Sequence, residues 1–403
     1  MEQVLYPLRD GWSYTELASL CKFENGDRGK NYPSRDAFVE SGIPVINAGN
    51  LDGRKIVEAG LNYITRERYD ILGSGKVRQG DLLFCLRGSL GKCAIVSNLS
   101  EGAIASSLVI VRPSEALDPN YLLYYFNSSL CATFIERYNN GAAQPNLSAK
   151  SLSKFLIPLA SQNEQKRIVE KLDAMLSRID TAIEHLQESV KLADALYASA
   201  LNELATGVDG KKIKLGELGK IIRGSSPRPK GDPRYYGGSV PRLMVADVTR
   251  DGRYVTPEID FLTDEGALKS RPVPKGTLTI QVSGNPGMPA ILAVDACIHD
   301  GFAALIEIKQ ESISTEYLYF SLLAVAEQNN QMAVGAIFRN LTTSQLREIE
   351  VVIPGYEKQL ELVKQMDIAE QKVKALKAEL NVQLEAICQL RASILDSAFK
   401  GEL

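Results

Sequence analysis

Side chains able to do covalent chemistry are few in this 403-residue chain. The two histidines, His185 and His299, exclude a His-rich metal site and leave a Ser-His-Asp triad only two candidate bases. Six cysteines, Cys21, Cys85, Cys93, Cys131, Cys297 and Cys388, lie far apart and form no CxxC pair. They read as free thiols, most of them buried small hydrophobes. No GxxxxGK[ST] loop, GxGxxG turn or GxSxG elbow is present. Asn285-Pro286-Gly287 fails the Asn/Asp-Pro-Pro-aromatic pattern of amino-group methylation at its third place. The expectation is a chain that neither holds a metal nor makes or breaks bonds.

Residues suited to binding are easier to find. Residues 211–234 hold eight basic side chains, Lys211, Lys212, Lys214, Lys220, Arg223, Arg228, Lys230 and Arg234, against two acidic ones, and run into Tyr235-Tyr236-Gly-Gly. A Pro/Gly-spaced basic loop with adjacent tyrosines suits phosphate and base-edge contact. A solvated loop accounts for the composition equally well. A looser set, Arg54, Lys55, Arg66, Arg68, Lys76, Arg78, Arg87 and Lys92, lies earlier, and its Arg87-Gly88-Ser89-Leu90-Gly91-Lys92 forms a Gly-bounded turn after GDLLFCL. That turn reads as a plain hairpin or as a backbone-close nucleic-acid contact flanked by two cations. The net charge of −3 gives no global basic field, so any such surface is local.

These two sets sit in two copies of one unit. Gly141-Ala142…Asn146-Leu147-Ser148 recurs as Gly335-Ala336…Asn340-Leu341-Thr342, and Ala198, Ser199, Leu201, Gly207 as Ala392, Ser393, Leu395, Gly401. Tyr121-Leu122 recurs as Tyr317-Leu318, Gly88…Gly91 as Gly284…Gly287, and Ile157-Pro158 as Ile353-Pro354. A period near 200 residues is far too long for a solenoid. Ser283 and Met288 stand where copy one has Arg87 and Lys92, and His299-Asp300 where copy one has Ala105-Ser106, so the two copies would not make identical contacts. A catalytic pair would not be lost from one copy, which disfavours catalysis by His299-Asp300.

Each copy begins with short apolar runs broken by Gly, Pro, Asn and Asp, among them IPVINAGN, GDLLFCLRG and SSLVIVRP, then TLTIQVSG and FAALIEI. These predict short strands, with helical stretches near residues 119–137 and 315–331. Each copy ends in a long helix. Residues 163–205 lack Gly and Pro, and an apolar seam runs through Leu172, Met175, Ile179, Leu186 and Val190. Copy two repeats it at Met366, Val373, Leu376, Leu380, Leu384 and Ile387, with one irregular 4,4 step in each. Forty-three helical residues span roughly 65 Å. A lone apolar stripe of that length is unstable in water, so the two seams are expected to pair, antiparallel about a pseudo-twofold axis. The predicted fold is α+β: head one over 1–160, a long helix over 161–206, head two over 207–355 and a second helix over 356–403. His185 is expected beside the seam. No run approaches ~18 apolar residues, and the N-terminus MEQVLYPLRDGWSYTEL shows no secretory signal. Cytoplasm is the expected location.

The order of head, helix, head, helix resembles the specificity subunit of type I restriction-modification enzymes, the HsdS family. Ile157-Pro158-Leu159…Gln162-Asn-Glu164-Gln165-Lys-Arg167-Ile168-Val169 is similar to the family's helix-opening signature, and Gln389-Leu-Arg-Ala-Ser393…Phe399-Lys-Gly401-Glu402-Leu403 to its closing one. Gly224-Ser-Ser-Pro227…Tyr235-Tyr236-Gly-Gly238 resembles a loop that opens many target-recognition domains. Head one lacks that loop, and the opener of copy two departs from the pattern, as Gly355-Tyr-Glu357-Lys-Gln359. The resemblance covers nearly the whole chain. It implies two target-recognition domains that bind double-stranded DNA, each reading one half of a split asymmetric target, with the paired helices setting the spacer. The implied contacts are Arg66, Arg68, Arg87, Ser89, Lys92 and Gln144 in head one. In head two they are Arg223, Ser225, Arg228, Lys230, Arg234, Tyr235, Tyr236, Asn285 and Arg339. The implied partners are two methyltransferase (M) subunits and restriction/translocase (R) subunits, which would carry S-adenosylmethionine, ATP and magnesium; no cofactor is expected in this chain, and no membrane. The competing reading is a coiled-coil adaptor with two protein-binding heads that does not touch DNA.

Overall fold

The computed structural model describes residues 5–29, 31–139, 145–332 and 340–403. Gln144 and Arg339 lie outside the described residues, as do the repeat anchors at 141–142 and 335–336. The chain divides into two compact units, Met1–Leu186 with Val382–Leu403, and Gln187–Asn381. The division cuts both long helices in mid-length instead of falling where heads meet helices. Its cause is that each head's core is completed by a piece of each helix.

In the first unit the strands are β1 (Ser13–Glu16), β2 (Cys21–Asn25), β3 (Ile43–Ile46), β4 (Asn62–Ile64), β5 (Leu82–Cys85), β6 (Cys93–Ile95), β7 (Ala103–Ile104), β8 (Leu108–Pro113) and β9 (Leu156–Leu159). They form an antiparallel sheet β2-β8-β5-β6, a three-stranded sheet β4-β3-β7 and a pair β1-β9. The unbroken apolar run of β5 arises because both of its faces are covered. Leu82 and Phe84 pack with Tyr121, Leu122 and Phe126 of the helix Pro119–Phe126. Leu83 and Cys85 pack with Ile46 and Ile104 of the three-stranded sheet. Asp118 caps that helix through the Asn120 and Tyr121 amides. The helix ends at Asn127-Ser128, where the Ser128 hydroxyl caps a second helix, Ser129–Tyr138.

The second unit repeats this plan. Its strands are β10 (Lys211–Lys214), β11 (Lys220–Arg223), β12 (Tyr236–Leu243), β13 (Tyr254–Val255), β14 (Asp260–Leu262), β15 (Pro272–Val273), β16 (Leu278–Gln281), β17 (Pro289–Leu292), β18 (Ala296–Ile298), β19 (Phe302–Ile306) and β20 (Glu350–Ile353). The sheets run β11-β19-β16-β17-β13, β14-β12-β18-β15 and β10-β20; β15 extends the single Lys76–Ala103 bridge of head one, and β13 the Ile95 amide bond to the Arg54 carbonyl. One uninterrupted helix, Thr315–Met332, replaces the two of head one, because Leu323-Ala324 stands where Asn127-Ser128 broke the chain. One repeat anchor is displaced. Register pairs Ser13 with Leu159 and Lys211 with Ile353, so Ile157 corresponds to Val351 and not to Ile353. The Tyr121 hydroxyl donates to the Pro158 carbonyl at 2.8 Å, and Tyr317 donates to that of Val352 at 2.7 Å.

The long helices run Gln162–Thr206 and Tyr356–Lys400. Each is locked to its own head by a fully buried glutamine. Gln165 accepts from the Asp118 amide at 2.8 Å and donates to the carbonyls of Ala116 and Ala160. Gln359 accepts from the Ser314 amide at 2.9 Å and donates to those of Ser312 and Pro354. The departed opener of copy two therefore keeps its working residue. A second lock is an arginine: Arg54 reaches Asp173 at 2.7 Å, and Arg253 reaches Asp367 at 2.6 Å while lying against Tyr254, Tyr319 and Phe320. Arg54 is thus tied to the helix rather than presented as part of a basic face.

Within each unit the two helix segments are antiparallel. In the first, Arg391 pairs with Asp180 and Arg167 donates to the Leu403 carbonyl. Leu395, Ala398 and Phe399 enter the core of head one, where Phe399 meets Tyr121 and Tyr125. In the second, Lys377 pairs with Asp194, and Leu201 and Leu204 share a core with Leu362 and Met366. The seam differs from the expected one. Leu172 and Ile179 are buried, but Leu176 (0% exposed) takes the place assigned to Met175, which is half-buried. Leu186 and Val190 are half-buried. In copy two Met366 and Leu380 are buried, and Val373, Leu384 and Ile387 half-buried, whereas Leu376 is 43% exposed. Lys377 occupies the seam position, its ammonium satisfied by Asp194. The irregular step read through Leu376 is therefore absent, and Val373, Lys377, Leu380, Leu384 and Ile387 follow a regular heptad.

Candidate nucleic-acid interface

Both heads build the same backbone device at the end of their main sheet. In head one the β5–β6 hairpin turns through Gly88 and Gly91, both with positive φ (76° and 85°). The Leu86 amide donates to the Ser107 carbonyl at 2.8 Å, and the Leu147 amide to the Leu86 carbonyl at 2.9 Å. Head two repeats each bond: Val282 donates to Gly301 and Leu341 to Val282, with Gly284 and Gly287 at φ 82° and 95°. Arg87 bridges to Asn146 as Ser283 does to Asn340. The hairpin, the turn at 105–107 or 299–301, and the strand-like segment at 146–147 or 340–341 are thus one assembly. An arginine grips the turn in each: Arg28 reaches the Ser106 carbonyl at 3.2 Å, and Arg223 Nε reaches that of Asp300 at 2.9 Å.

Identical backbone carries different side chains. Arg87, Ser89 and Lys92 are exposed in head one, with Arg87 Nε held 3.1 Å from the Asn146 side chain. Their counterparts are Ser283, Asn285 and Met288. In head two the Gly224–Arg234 loop, which leaves β11 as Gly26 leaves β2 in head one, is pinned at several points. The Ser225 amide donates to the Ile298 carbonyl, and Ser270 donates to the Ser225 carbonyl at 2.7 Å. Tyr236 donates to the Pro227 carbonyl at 2.8 Å. A side chain at Gly224 would run into the His299 carbonyl, so the loop requires glycine there. Beneath it, Arg242 (5% exposed) stacks on Tyr236 and pairs with Asp260 at 2.7 Å. Burial lowers the His299 pKa below the ordinary histidine value despite Asp300. The Gly301 amide donates to its Nδ1 at 2.8 Å, which places the proton on Nε2. The Ser226 hydroxyl bond holds the Asp300 carboxyl below its usual range. Arg234 chelates Asp232 and lowers its pKa to about 2.

The model of the type I restriction modification DNA specificity domain matches residues 9–192 and again 208–386. The chain belongs to this family. Among its curated relatives, the type I restriction enzyme StySPI specificity subunit of Salmonella potsdam is 22% identical over 98% of this chain and 90% of its own length. The EcoKI specificity subunit of Escherichia coli K12 is 20% identical over the same shares. A chain solved in a study of complex assembly and conformational transition of the type I R-M system shares the fold at TM-score 0.79, with 23% identity over 99% of this chain and all of its own. The HsdS subunit of Thermoanaerobacter tengcongensis shares it at TM-score 0.54 and 24% identity over the full length of both.

On this specificity-family scaffold the candidate contacts separate into groups. Arg87, Ser89 and Lys92 come together on the head-one hairpin, and Arg223, Ser225, Arg228 and Asn285 on the head-two assembly. Lys230 is exposed on the same loop. Arg66 and Arg68 belong to the helix Arg66–Asp70, and Arg66 is paired with Glu101 just before β7, whereas the turn at 105–107 follows β7. Tyr235 is a correction: it is 4% exposed, with Lys269 donating to its hydroxyl, and it supports the loop from inside. Tyr236 is half-buried and likewise braces the loop through Pro227. Lys211, Lys212 and Lys214 lie on β10, in a different sheet, so the basic run is split. Arg28, and Arg242 on β12, were missed because lone residues carry no periodic signal; Asp300 was weighed only as a catalytic partner of His299, and Asn146 only as a repeat anchor. Among the described residues no His/Cys/Asp/Glu group could hold a metal ion, and no helix is long and apolar enough to cross a membrane. His185 is exposed on the first long helix; Cys85, Cys93, Cys131 and Cys297 are buried, and burial pushes the Cys93 thiol up to about 12.

Proposed function

We propose that this chain is the DNA specificity subunit of a type I restriction-modification complex, in which each head reads one half of a bipartite, asymmetric double-stranded target. The observation that carries this reading is the pair of equivalent hairpin assemblies bearing different side chains, Arg87, Ser89, Lys92 and Ser106 against Ser283, Asn285, Met288 and Asp300. A conserved backbone device with divergent tips presents two different donor and acceptor patterns to base edges. The paired helices set the unread spacer, and half-sites ~34 Å apart would lie on one face of the duplex. Methyltransferase subunits, two per chain, and restriction/translocase subunits dock on the helices and heads. They supply S-adenosylmethionine, ATP and magnesium, and this chain makes and breaks no bonds itself. It works in the cytoplasm, where the DNA is.

The test is methylation sequencing of DNA from cells that express the chain with its methyltransferase. A split adenine-methylation motif that disappears when the chain is omitted supports the reading, and exchange of head two should alter one half-site. An active methyltransferase giving the same pattern without the chain would reject it in favour of the protein-binding adaptor.

A further inference from the structure

An acidic side chain, Asp300, is held against the basic Gly224–Arg234 loop. Three loop and strand residues converge on residue 300: Arg223 Nε meets its carbonyl at 2.9 Å, Ser226 donates to its Oδ1 at 2.7 Å, and Arg228 Nη2 lies 3.4 Å from its Oδ2. The turn that carries it is rigid, held by the Gly301 amide on His299 Nδ1, by the Phe302 amide on the His299 carbonyl, and by the Val282 amide on Gly301. Arg228 and Asp300 are 70% and 53% exposed, so this pair contributes little to stability. In a surface that must approach phosphates, a carboxylate also weakens binding to any DNA. Neither the stability of the ion pair nor bulk affinity therefore accounts for the convergence on Asp300. Head one has no counterpart: Ser106 takes the same place and offers Arg28 only the backbone carbonyl.

We propose that Asp300 is a specificity-determining positioning residue for the half-site read by head two. It orients the Ser226 hydroxyl and the Arg228 guanidinium toward base edges, and its charge keeps Arg228 from settling on a phosphate. The inference rests on the specificity-subunit reading and assigns the two heads different balances of discrimination against bulk affinity. Head two trades general DNA attraction for orientation, whereas the exposed Arg87 and Lys92 of head one have no such carboxylate at the equivalent turn.

The experiment uses the full chain with its methyltransferase. Asp300→Asn is isosteric and keeps an acceptor for Ser226 but loses the charge. It should raise affinity for non-cognate duplex several-fold and steepen the salt slope by about 0.9, the value of one added phosphate contact. In cells it should relax the head-two half of the methylated motif and leave the head-one half unchanged. Ser226→Ala keeps the charge, and should relax the same half with no change of slope. An unchanged head-two half with an unchanged salt slope overturns the proposal. Equal relaxation of both halves, or a lowered unfolding midpoint that accounts for the loss, overturns it also, by making Asp300 merely structural. Methylation that never depended on the chain would instead reject the specificity reading, and this inference with it.

Discussion

Replacing Gln165 by leucine removes a buried amide of nearly the same size and tests how each head is joined to its helix. Gln165 is wholly buried and satisfies the Asp118 amide and the carbonyls of Ala116 and Ala160. Ala116 is exposed, so its carbonyl can turn to water; Ala160 is buried and its carbonyl has no such escape, and the Asp118 amide is part-buried. A stranded buried polar group costs ~1–3 kcal/mol, and leucine recovers part of that as apolar burial, so a loss of about 2–4 kcal/mol is expected. Gln359→Leu strands the Ser314 amide and the Pro354 carbonyl in the same way, and should cost a similar amount. Hydrogen exchange followed by mass spectrometry reads each unit separately. Protection should fall by roughly 30- to 1,000-fold, in peptides spanning 114–122 for Q165L and 310–318 for Q359L. A change below ~0.5 kcal/mol in both variants would refute the clamp. A loss in one head alone would refute the equivalence of the two.

The relocated seam predicts unequal leucines: Leu380→Ala should cost about 2–4 kcal/mol and Leu376→Ala within about 1 kcal/mol, measured by urea unfolding; equal losses would restore the irregular seam. A double-mutant cycle of Arg253→Met with Asp367→Asn should give a coupling of about 0.5–3 kcal/mol. The more exposed Arg54–Asp173 pair should give only about 0.2–1 kcal/mol, and the reverse order would contradict the burial argument. His299 is neutral in the fold, since burial lowers its pKa and the Gly301 amide already points at Nδ1. The unfolded chain takes up that proton near 6.5 and the folded chain only at lower pH. Below 6.5 the unfolded state therefore holds more protons, and stability falls as pH drops. His299→Gln should flatten the pH dependence of the urea midpoint below 6.5, and an unaltered slope would show that this ring does not titrate on unfolding.

The two heads, their short strands and the long helices were legible because each is written in a repeated local pattern. Apolar runs such as LLFC and FAALI require cover on both faces, and 43 residues without Gly or Pro admit little but helix. The duplication was legible for the same reason, although Ile353-Pro354 imitated an anchor that register assigns to Val351-Val352. Side-chain direction was harder. A heptad reading takes the nearest apolar residue, and at Leu376 it chose the wrong neighbour, because the adjacent Lys377 has its charge met by Asp194 on the other helix. That pairing depends on a residue far away in the chain and leaves no local trace.

The amino-acid sequence by itself determined that the chain holds two diverged copies of an α+β head with a long helix after each, and that basic residues cluster around Gly-bounded turns. Only tertiary structure decided which of those residues face outward. Tyr235 was taken inside by Lys269, Arg54 was claimed by Asp173, and Asp300 was brought under Ser226 and Arg228. Periodicity reports the geometry of a backbone and its neighbours along the chain. The direction of a loop side chain is set by partners tens to more than a hundred residues away, which fold closure alone brings within hydrogen-bonding distance.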